Sequence, residues 1–305
     1  MLRPVRAAAV AAERLAGGNL EERLPVKGSS DLASLATSMN FMAAELDLKI
    51  TELEKISQVQ QQFVSDVSHE LKTPLTTIQM ATSMIDAHRA ELEPVAERSA
   101  ELLSKEVGRF SDLLADLLEV SRFDAGAASL SLDDVDLGKL VSAEVDGVLP
   151  LANRAGAEIT VAASGEFTAE LDRTRVRRIL RNLLTNAIEH GEGKPIEVDV
   201  GGNDDAVAVT VRDHGVGLDP QQVQQVFTRF WRGDPSRSRQ LGGVGLGLAI
   251  ALEDAKLHGG KLGVWAALEQ GACFRLVLPR HPGGEIVPEP LELAPEGEGG
   301  SVHEP

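Results

Sequence analysis

Cysteine and basic residues are scarce in this sequence. Cys273 is the only cysteine among 305 residues, so the chain by itself forms neither a disulfide nor a cysteine metal cluster, and a reducing compartment fits. Lys and Arg total 30 against 47 Asp and Glu, and the resulting net charge of −17 repels nucleic-acid backbones. We therefore expect no direct nucleic-acid binding, and we expect any anionic ligand to be held by a local site.

Long apolar runs are also missing. The longest run near the start, AAAVAA, covers residues 7–12 between Arg6 and Glu13, whereas a membrane-spanning helix needs about 20 apolar residues. We expect neither a transmembrane span nor a signal peptide within this chain. The length is enough for two or three domains, each with its own core.

An amphipathic helix is predicted around His69. Apolar side chains recur at steps of three or four, interrupted only by Gln60, and mark one buried stripe, at Leu53, Ile56, Phe63, Val67 and Leu71. His69 lies about 200° around the helix from Val67, so we expect its imidazole to face solvent. Pro74 has no amide hydrogen to give to the carbonyl of Glu70, so we expect the helix to bend there.

His69 and Glu70 have the chemistry of a phosphate acceptor. Glu70 could hold or deprotonate one ring nitrogen and leave the lone pair of the other free to attack phosphorus. Neutral imidazole is plentiful near pH 7. An exposed His-Glu pair is equally consistent with an ordinary solvated helix face, so the pair alone does not decide.

Two asparagines recur on one face of a helix that Asp172 caps. Asn182 and Asn186 are four residues apart, and their side-chain carbonyls are hard oxygen ligands suited to Mg²⁺. Cap or solvated asparagines would explain the string NLLTNA as well.

A carboxylate and a glycine turn follow a predicted strand. Asp213 precedes Gly215 and Gly217, and an ionised Asp can accept the exocyclic amine of adenine but would oppose the carbonyl of guanine. This pattern favours ATP over GTP. Four further glycines stand where a helix begins and would let its amides bind phosphate, although they also fit a plain loop: Gly242, Gly243, Gly245 and Gly247.

The motifs together resemble a known family. SHELKTPLTTI resembles the H box of two-component sensor histidine kinases. Residues 182–250 contain four further motifs that resemble boxes of the GHKL ATPase superfamily. In chain order they are NLLTNAIEH (N box), DHGVG (first glycine box), VFTRFWRGD (F box) and GVGLGLAI (second glycine box). The sequences of these motifs are most similar to those of actinobacterial sensor kinases. The first 50 residues resemble a HAMP signal-relay module, although Leu32 stands where that family often has Glu, and an ordinary helical hairpin is the alternative.

The fold class that follows is multidomain: an all-α coiled-coil and four-helix dimerisation bundle, then an α/β two-layer sandwich of the GHKL (Bergerat) ATPase type. A second helix begins at Pro94, and one hairpin cannot cover both of its apolar stripes, so two copies should pair. We expect HAMP-like helices at 1–52, a phosphotransfer hairpin at 53–124, a linker at 125–136, the ATP-binding domain at 137–280 and an acidic disordered tail at 281–305.

The resemblance implies that ATP and Mg²⁺ are the cofactors and that His69 is autophosphorylated. The phosphoryl group would pass to an aspartate of a response regulator receiver domain, and a homodimer would work at the cytoplasmic side of a bacterial membrane, anchored by an upstream segment absent from this chain. Glu70 would act as base, and Thr73 would orient a water for dephosphorylating the regulator. Asn186 would hold the metal ion.

The resemblance also assigns roles to residues at matching positions of this sequence. Arg229 is the candidate for the γ-phosphate, and residues 218–244 would form the ATP lid. The remaining nucleotide contacts implied by the family boxes are Asn182, Asn186, His190, Asp213, Gly215, Gly217, Gly243, Gly245 and Gly247. We interpret four other histidines as surface residues: His88, His258, His281 and His303.

Two other functions compete with this interpretation. A GHKL ATPase of the chaperone, topoisomerase or anti-sigma type would lack the helix with SHELKTP. A non-enzymatic coiled-coil relay would have lost its ATP site, whereas Asn186, Asp213, Gly215 and Gly245 are all present.

Overall fold

The computed structural model describes residues 23, 31–88, 93–233, 245–294 and 299–305. In the first helix the side chains of residues 31–32, 53–54, 57–58, 60–61, 63–70 and 72 lie outside this description, as does the side chain of Ser164. The part of the predicted HAMP-like module before residue 31, except residue 23, also lies outside it, as do residues 234–244 of the predicted lid. The chain divides into two compact units, residues 1–70 and residues 71–305.

One long helix, α1, runs from Asp31 to Ala87 and continues through Pro74. The bend predicted beside His69 stays a prediction. Several apolar side chains along α1 are exposed in a single copy of the chain, at Leu35, Met42, Leu46, Ile56 and Leu71, and the last two belong to the predicted stripe. Apolar residues at helical spacing are stable in this position only when another surface covers them.

Helix α2 runs from Pro94 to Asp124 and begins with the proline in its first turn, as predicted. Its contact with the last part of α1 includes a hydrogen bond of 2.7 Å from Gln79 Nε2 to Ser111 Oγ. This hairpin also leaves large apolar side chains exposed, at Ile78, Met80, Met84, Leu102, Leu103, Phe110 and Leu117. The pairing of two copies remains the arrangement that the sequence predicts.

The described residues from 133 to the end of the chain, called the ATPase-like region below, are built on a six-stranded sheet. Its strands are β2 (Ile159–Ser164), β4 (Ile196–Gly202), β5 (Ala206–Asp213), β6 (Lys261–Ala267), β7 (Gly271–Pro279) and β8 (Ser301–His303). Their order is β2-β4-β5-β7-β6-β8, with β2 parallel to β4 and every other pair antiparallel. The helices are α3 (Leu137–Ala155), α4 (Arg173–His190), the short α5 (Pro220–Gln225) and α6 (Gly247–Leu257).

The main core lies between one face of the sheet and the helices α3, α4 and α6. Alternate strand residues face these helices because successive side chains of a strand point to opposite sides. Core members include Val145, Leu180, Leu183, Ala251, Val198, Val209 and Phe274. The predicted α/β sandwich is therefore confirmed.

The segment predicted as a linker contains a strand. Strand β1 (Asp133–Asp136) pairs antiparallel with β3 (Thr168–Leu171), and Val135 is fully buried. The prediction of a linker over the whole of residues 125–136 was wrong. One buried valine among small and acidic residues is too short a pattern to indicate a strand from sequence.

The C-terminal residues are ordered where the structure describes them, so the prediction of a disordered tail at 281–305 was wrong there. Strand β8 pairs with β6, and Ile286 and Leu293 are buried. Ile286 packs on Ala206, Ala208 and Val277, which lie on the sheet face opposite the helices. The tail thus adds a partial third layer. The acidic composition of the tail suggested disorder, but Ile286 and Leu293 pack against the sheet.

Candidate nucleotide site and phosphoacceptor segment

Helix α4 is the structural centre of the candidate nucleotide site. Asp172 caps its first turn by accepting hydrogen bonds from the backbone N–H groups of Thr174 and Arg175, at 3.0 and 3.1 Å. One face of the helix packs into the core, while Asn182 and Asn186 are only partly buried. The pair that the sequence predicted therefore lies where a ligand can reach it.

Asn182 joins α4 to the start of α6. Its Nδ2 donates a hydrogen bond of 2.9 Å to the carbonyl of Gly247, the first residue of α6. A side chain at position 247 would bring a Cβ within 3.0 Å of Asn182 Oδ1, so glycine allows this close approach. No described side chain caps α6, which leaves its first amides available to a phosphate.

Asp213 provides a buried carboxylate at the end of β5. The residue is only 2% exposed, and its Oδ1 accepts a hydrogen bond of 2.9 Å from the N–H of Gly215. Burial raises the pKa of Asp213, and the backbone hydrogen bonds oppose that rise. A buried acceptor with spare lone pairs is suited to the amine of adenine.

The glycine turn after Asp213 lies against the carboxyl end of α4. A Cβ at Gly215 would collide with the carbonyl oxygen of His190, and a Cβ at Gly217 would collide with that of Ala267. Gly217 also has a φ of 66°, which favours glycine. Asn182 and His190 are eight residues apart, about 12 Å of helix rise. The two glycine segments therefore contact α4 about 12 Å apart along its axis, one near its middle and one at its carboxyl end.

At the base of the predicted lid, residues 227–231 approach Gly245, which directly follows the lid. The N–H of Phe230 donates a hydrogen bond of 2.8 Å to the carbonyl of Gly245, whose φ is 78°. A Cβ at position 245 would lie 2.6 Å from the carbonyl oxygen of Trp231. Gly242 and Gly243 fall outside the described residues.

Arg229 contacts a carboxylate. Its Nη1 and Nη2 donate to the two oxygens of Asp124, at 2.8 and 2.7 Å, and these hydrogen bonds raise the pKa of the guanidinium. Asp124 is the last residue of α2. The role of Arg229 at a γ-phosphate stays a prediction, and it requires this ion pair to open.

His190 ends α4, and desolvation lowers the pKa of its imidazole. The ring is therefore mainly neutral near pH 7, so it would approach a phosphate as a hydrogen-bonding group rather than as a cation. This suits either the predicted role near the phosphates or a helix-end position.

The predicted nucleophile lies within α1. His69 and Glu70 have helical backbone, and their side chains lie outside the described residues. Thr73 is exposed on the same helix. The exposure of the imidazole and its contact with Glu70 therefore stay predictions.

An ionic cluster that sequence reasoning missed fixes α2 to the ATPase-like region. Arg175 Nη1 donates to Glu119 Oε1 and Asp254 Oδ1, both at 2.7 Å, and Arg178 Nε donates to Asp254 Oδ2 at 2.8 Å. Beside the cluster, the Arg175 guanidinium lies 5.5 Å from the ring centre of Phe123. The only signal in the sequence was the spacing of Arg175 and Arg178, which is common on solvated helices.

An apolar patch continues this contact. Val120 on α2 packs with Leu246 and Ile250 at the start of α6, and Leu113 and Phe123 complete the patch. Glu119, which belongs to the ionic cluster, directly precedes Val120 of this patch. Burial would raise the pKa of Glu119, but hydrogen bonds from Arg178 and Arg175 outweigh this effect and lower it.

His258 is buried, so its interpretation as a surface residue was wrong. Its Nε2 accepts a hydrogen bond of 3.1 Å from the N–H of Asp172, and its Nδ1 donates to the carbonyl of Asp254 at 2.7 Å. These bonds require a neutral ring with the proton on Nδ1. The histidine thus fixes the cap of α4 to the end of α6.

Three sequence families match the chain in the expected order. Residues 1–47 match the HAMP domain, residues 59–126 match the His Kinase A (phospho-acceptor) domain, and residues 171–282 match the histidine kinase-, DNA gyrase B- and HSP90-like ATPase. His69 falls in the second match, and every predicted nucleotide contact falls in the third.

Curated relatives resemble nearly the whole chain. The sensor histidine kinase MtrB of Mycobacterium tuberculosis is 52% identical over 293 residues, which cover 96% of this chain and 52% of that protein. The signal transduction histidine-protein kinase AfsQ2 of Streptomyces coelicolor is 38% identical, over 92% of this chain and 53% of its own length. The chain thus spans about half the length of these relatives.

Solved structures agree with the fold. Full-length ShkA in complex with AMPPNP is 28% identical, with a TM-score of 0.63 over 73% of this chain and 47% of ShkA. The Acinetobacter baumannii histidine kinase AdeS is 18% identical, with a TM-score of 0.51 over 70% of this chain and 98% of AdeS, and supports the fold alone. No helix among the described residues is long and apolar enough to cross a membrane.

Proposed function

Since the chain belongs to the family of two-component sensor histidine kinases, we propose that it autophosphorylates His69 with ATP and passes the phosphoryl group to an aspartate of a response regulator. The observation that supports this function most directly is the convergence on α4. Helix α4 carries half-buried Asn182 and Asn186 and lies next to buried Asp213 and the amino end of α6. These groups follow the predicted phosphoacceptor helix in the sequence.

The residues present fit a magnesium-nucleotide complex. Asp213 would accept the adenine amine, Asn186 would hold Mg²⁺ through its amide oxygen, and the first amides of α6 would bind phosphate oxygens. A bound Mg²⁺ would supply charge neutralisation at the phosphates. The AMPPNP that ShkA binds is in accord with this assignment.

His69 would attack the terminal phosphorus through one neutral ring nitrogen. A nitrogen–phosphorus bond forms while the bond from that phosphorus to the bridging oxygen breaks, and ADP leaves with the bonding electrons. Glu70 would hold the proton on the second nitrogen and stabilise the imidazole as it gains positive charge. Positioning and charge neutralisation carry most of such a transfer.

The receiving partner would be the receiver domain of a response regulator. Its aspartate would take the phosphoryl group from phosphorylated His69, and Thr73 would orient the water that later removes it from the regulator. We place the chain in a homodimer, because apolar stripes on α1 and α2 are uncovered in one copy. We place it at the cytoplasmic side of the membrane, attached through a segment outside this sequence.

Phosphate labelling tests the proposal. The chain with Mg-ATP is expected to incorporate phosphate that is stable in base and labile in acid, and His69→Ala should abolish the label without changing AMPPNP affinity. His88→Ala, at an exposed histidine directly after the last residue of α1, is the matched control and should label normally. Undiminished labelling of His69→Ala would refute His69 as the acceptor.

A further inference from the structure

The C-terminal tail is anchored across the sheet face that the helices leave open. Arg275, in β7, is the centre of this anchor and is itself buried. Its Nη2 lies 2.5 Å from carboxylate oxygens of both Glu289 and Glu304, and its Nη1 donates to the carbonyl of Leu291 at 2.7 Å. Lys261 adds a second ion pair with Glu289, at 2.8 Å. The acidic residues of the tail therefore bind specific cations of the sheet.

This anchor places His303 beside the base of the lid. Strand β8 pairs with β6 so that His303 is opposite Val264, and the imidazole lies 5.9 Å from the ring of Phe227, centre to centre. Phe227 is buried and also meets Phe274 edge to face, at 6.2 Å. Phe227 thus has one aromatic neighbour in the sheet and one in the tail.

Phe227 is linked to the amino end of α6, part of the candidate nucleotide site, through a few residues of backbone. Three residues further on, the N–H of Phe230 binds the carbonyl of Gly245. Two residues beyond Gly245, the carbonyl of Gly247 accepts the hydrogen bond from Asn182. A displacement of Phe227 would therefore be passed to the amino end of α6, where phosphate is expected to bind.

We propose that His303 is a positioning residue for nucleotide binding, which acts through Phe227 on the base of the lid and the first turn of α6. The inference rests on the proposed function, because it concerns the same nucleotide site. It also gives the acidic tail, which extends beyond the residues matched by the ATPase family, a role in setting nucleotide affinity. An aromatic ring at position 303 limits the positions that Phe227 can occupy, so the binding conformation needs less ordering.

Substitutions at position 303 test this role with AMPPNP as the probe. His303→Ala should weaken AMPPNP binding about threefold to tenfold, the range expected for loss of one aromatic contact. His303→Phe keeps a ring and should restore the affinity. Val302→Ala is the matched control, because Val302 lies next to His303 on β8 and its side chain is about half exposed. The control should bind AMPPNP as the unaltered chain does.

Kinetics separate positioning from a general loss of structure. His303→Ala should raise KM for ATP and leave kcat for His69 labelling unchanged, and amide exchange should rise across residues 220–231. Unchanged AMPPNP affinity in His303→Ala, equal weakening in Val302→Ala, or failure of His303→Phe to recover would each overturn the inference. Failure of the unaltered chain to bind AMPPNP would instead refute the proposed function, so the two failures are distinguishable.

Discussion

At the scale of single residues, Asp213 and Asn186 should affect nucleotide binding in different ways. Asp213→Asn removes a charge and can turn an amide donor toward the adenine amine, so we expect AMPPNP affinity to fall about tenfold to a hundredfold with or without Mg²⁺. Asn186→Ala should lower affinity only when Mg²⁺ is present. Calorimetry in magnesium and in EDTA measures both effects, and unchanged affinity in both variants would show that the site is misplaced.

The pair of Asp124 and Arg229 supplies a second residue-scale prediction. If Arg229 contacts phosphate, Asp124 competes for it, and Asp124→Asn should increase the initial rate of His69 labelling at low ATP. Both side chains are about 40% exposed, so the ion pair contributes at most about 1 kcal/mol and the increase should not exceed about fivefold. Asp112→Asn, an exposed site on the same helix, should leave the rate unchanged. An equal or lower rate in Asp124→Asn would contradict competition.

At the scale of elements, α2 is held to α4 and α6 by charges whose strength depends on pH. The pKa of Glu119 lies below its ordinary value of 4.5 in the folded chain, so its contribution to stability is complete above pH 4.5 and is lost as the pH falls through the lowered value. Glu119→Gln should therefore destabilise the protein by about 1–3 kcal/mol at pH 7.

Thermal unfolding from pH 7 to pH 3 measures this contribution. The difference in melting temperature between Glu119→Gln and the unaltered chain should be full at neutral pH and should shrink below pH 4.5. Glu101→Gln, whose side chain pairs with Arg98 in solvent, is the control and should change stability by less than about 0.5 kcal/mol. A difference that persists undiminished at pH 3 would exclude the charge of Glu119 as its cause.

The elements also show how far the sequence could be interpreted. The start of α2 at Pro94, the face of α4 with its two asparagines, and the place of Asp213 at the end of a strand follow from local signals, and the structure agrees with each. The ionic cluster could not be predicted in this way, because Glu119 and Arg175 are 56 positions apart. His258 was missed for a similar reason, since its partners are backbone groups that carry no sequence signal.

At the scale of the whole molecule, the exposed apolar stripe predicts assembly. Phe110 is 55% exposed on α2, and a buried charge at this position of a helical interface would be costly. Phe110→Glu should convert the proposed homodimer into a monomer at micromolar concentration, as measured by light scattering. Arg109→Glu reverses a charge at the neighbouring exposed position and should remain dimeric. A dimeric Phe110→Glu would place the interface elsewhere.

The packing of the C-terminal tail against the sheet limits which residues can occupy positions 201 and 263. Leu291 lies where a Cβ at Gly201 would come within 2.8 Å, and Leu293 and Glu304 similarly crowd the position of a Cβ at Gly263. Side chains at positions 201 and 263 would therefore compete with the tail for the same space. Any homologue without the tail would be free of this constraint, so we expect glycine at positions 201 and 263 to occur together with the tail across the family.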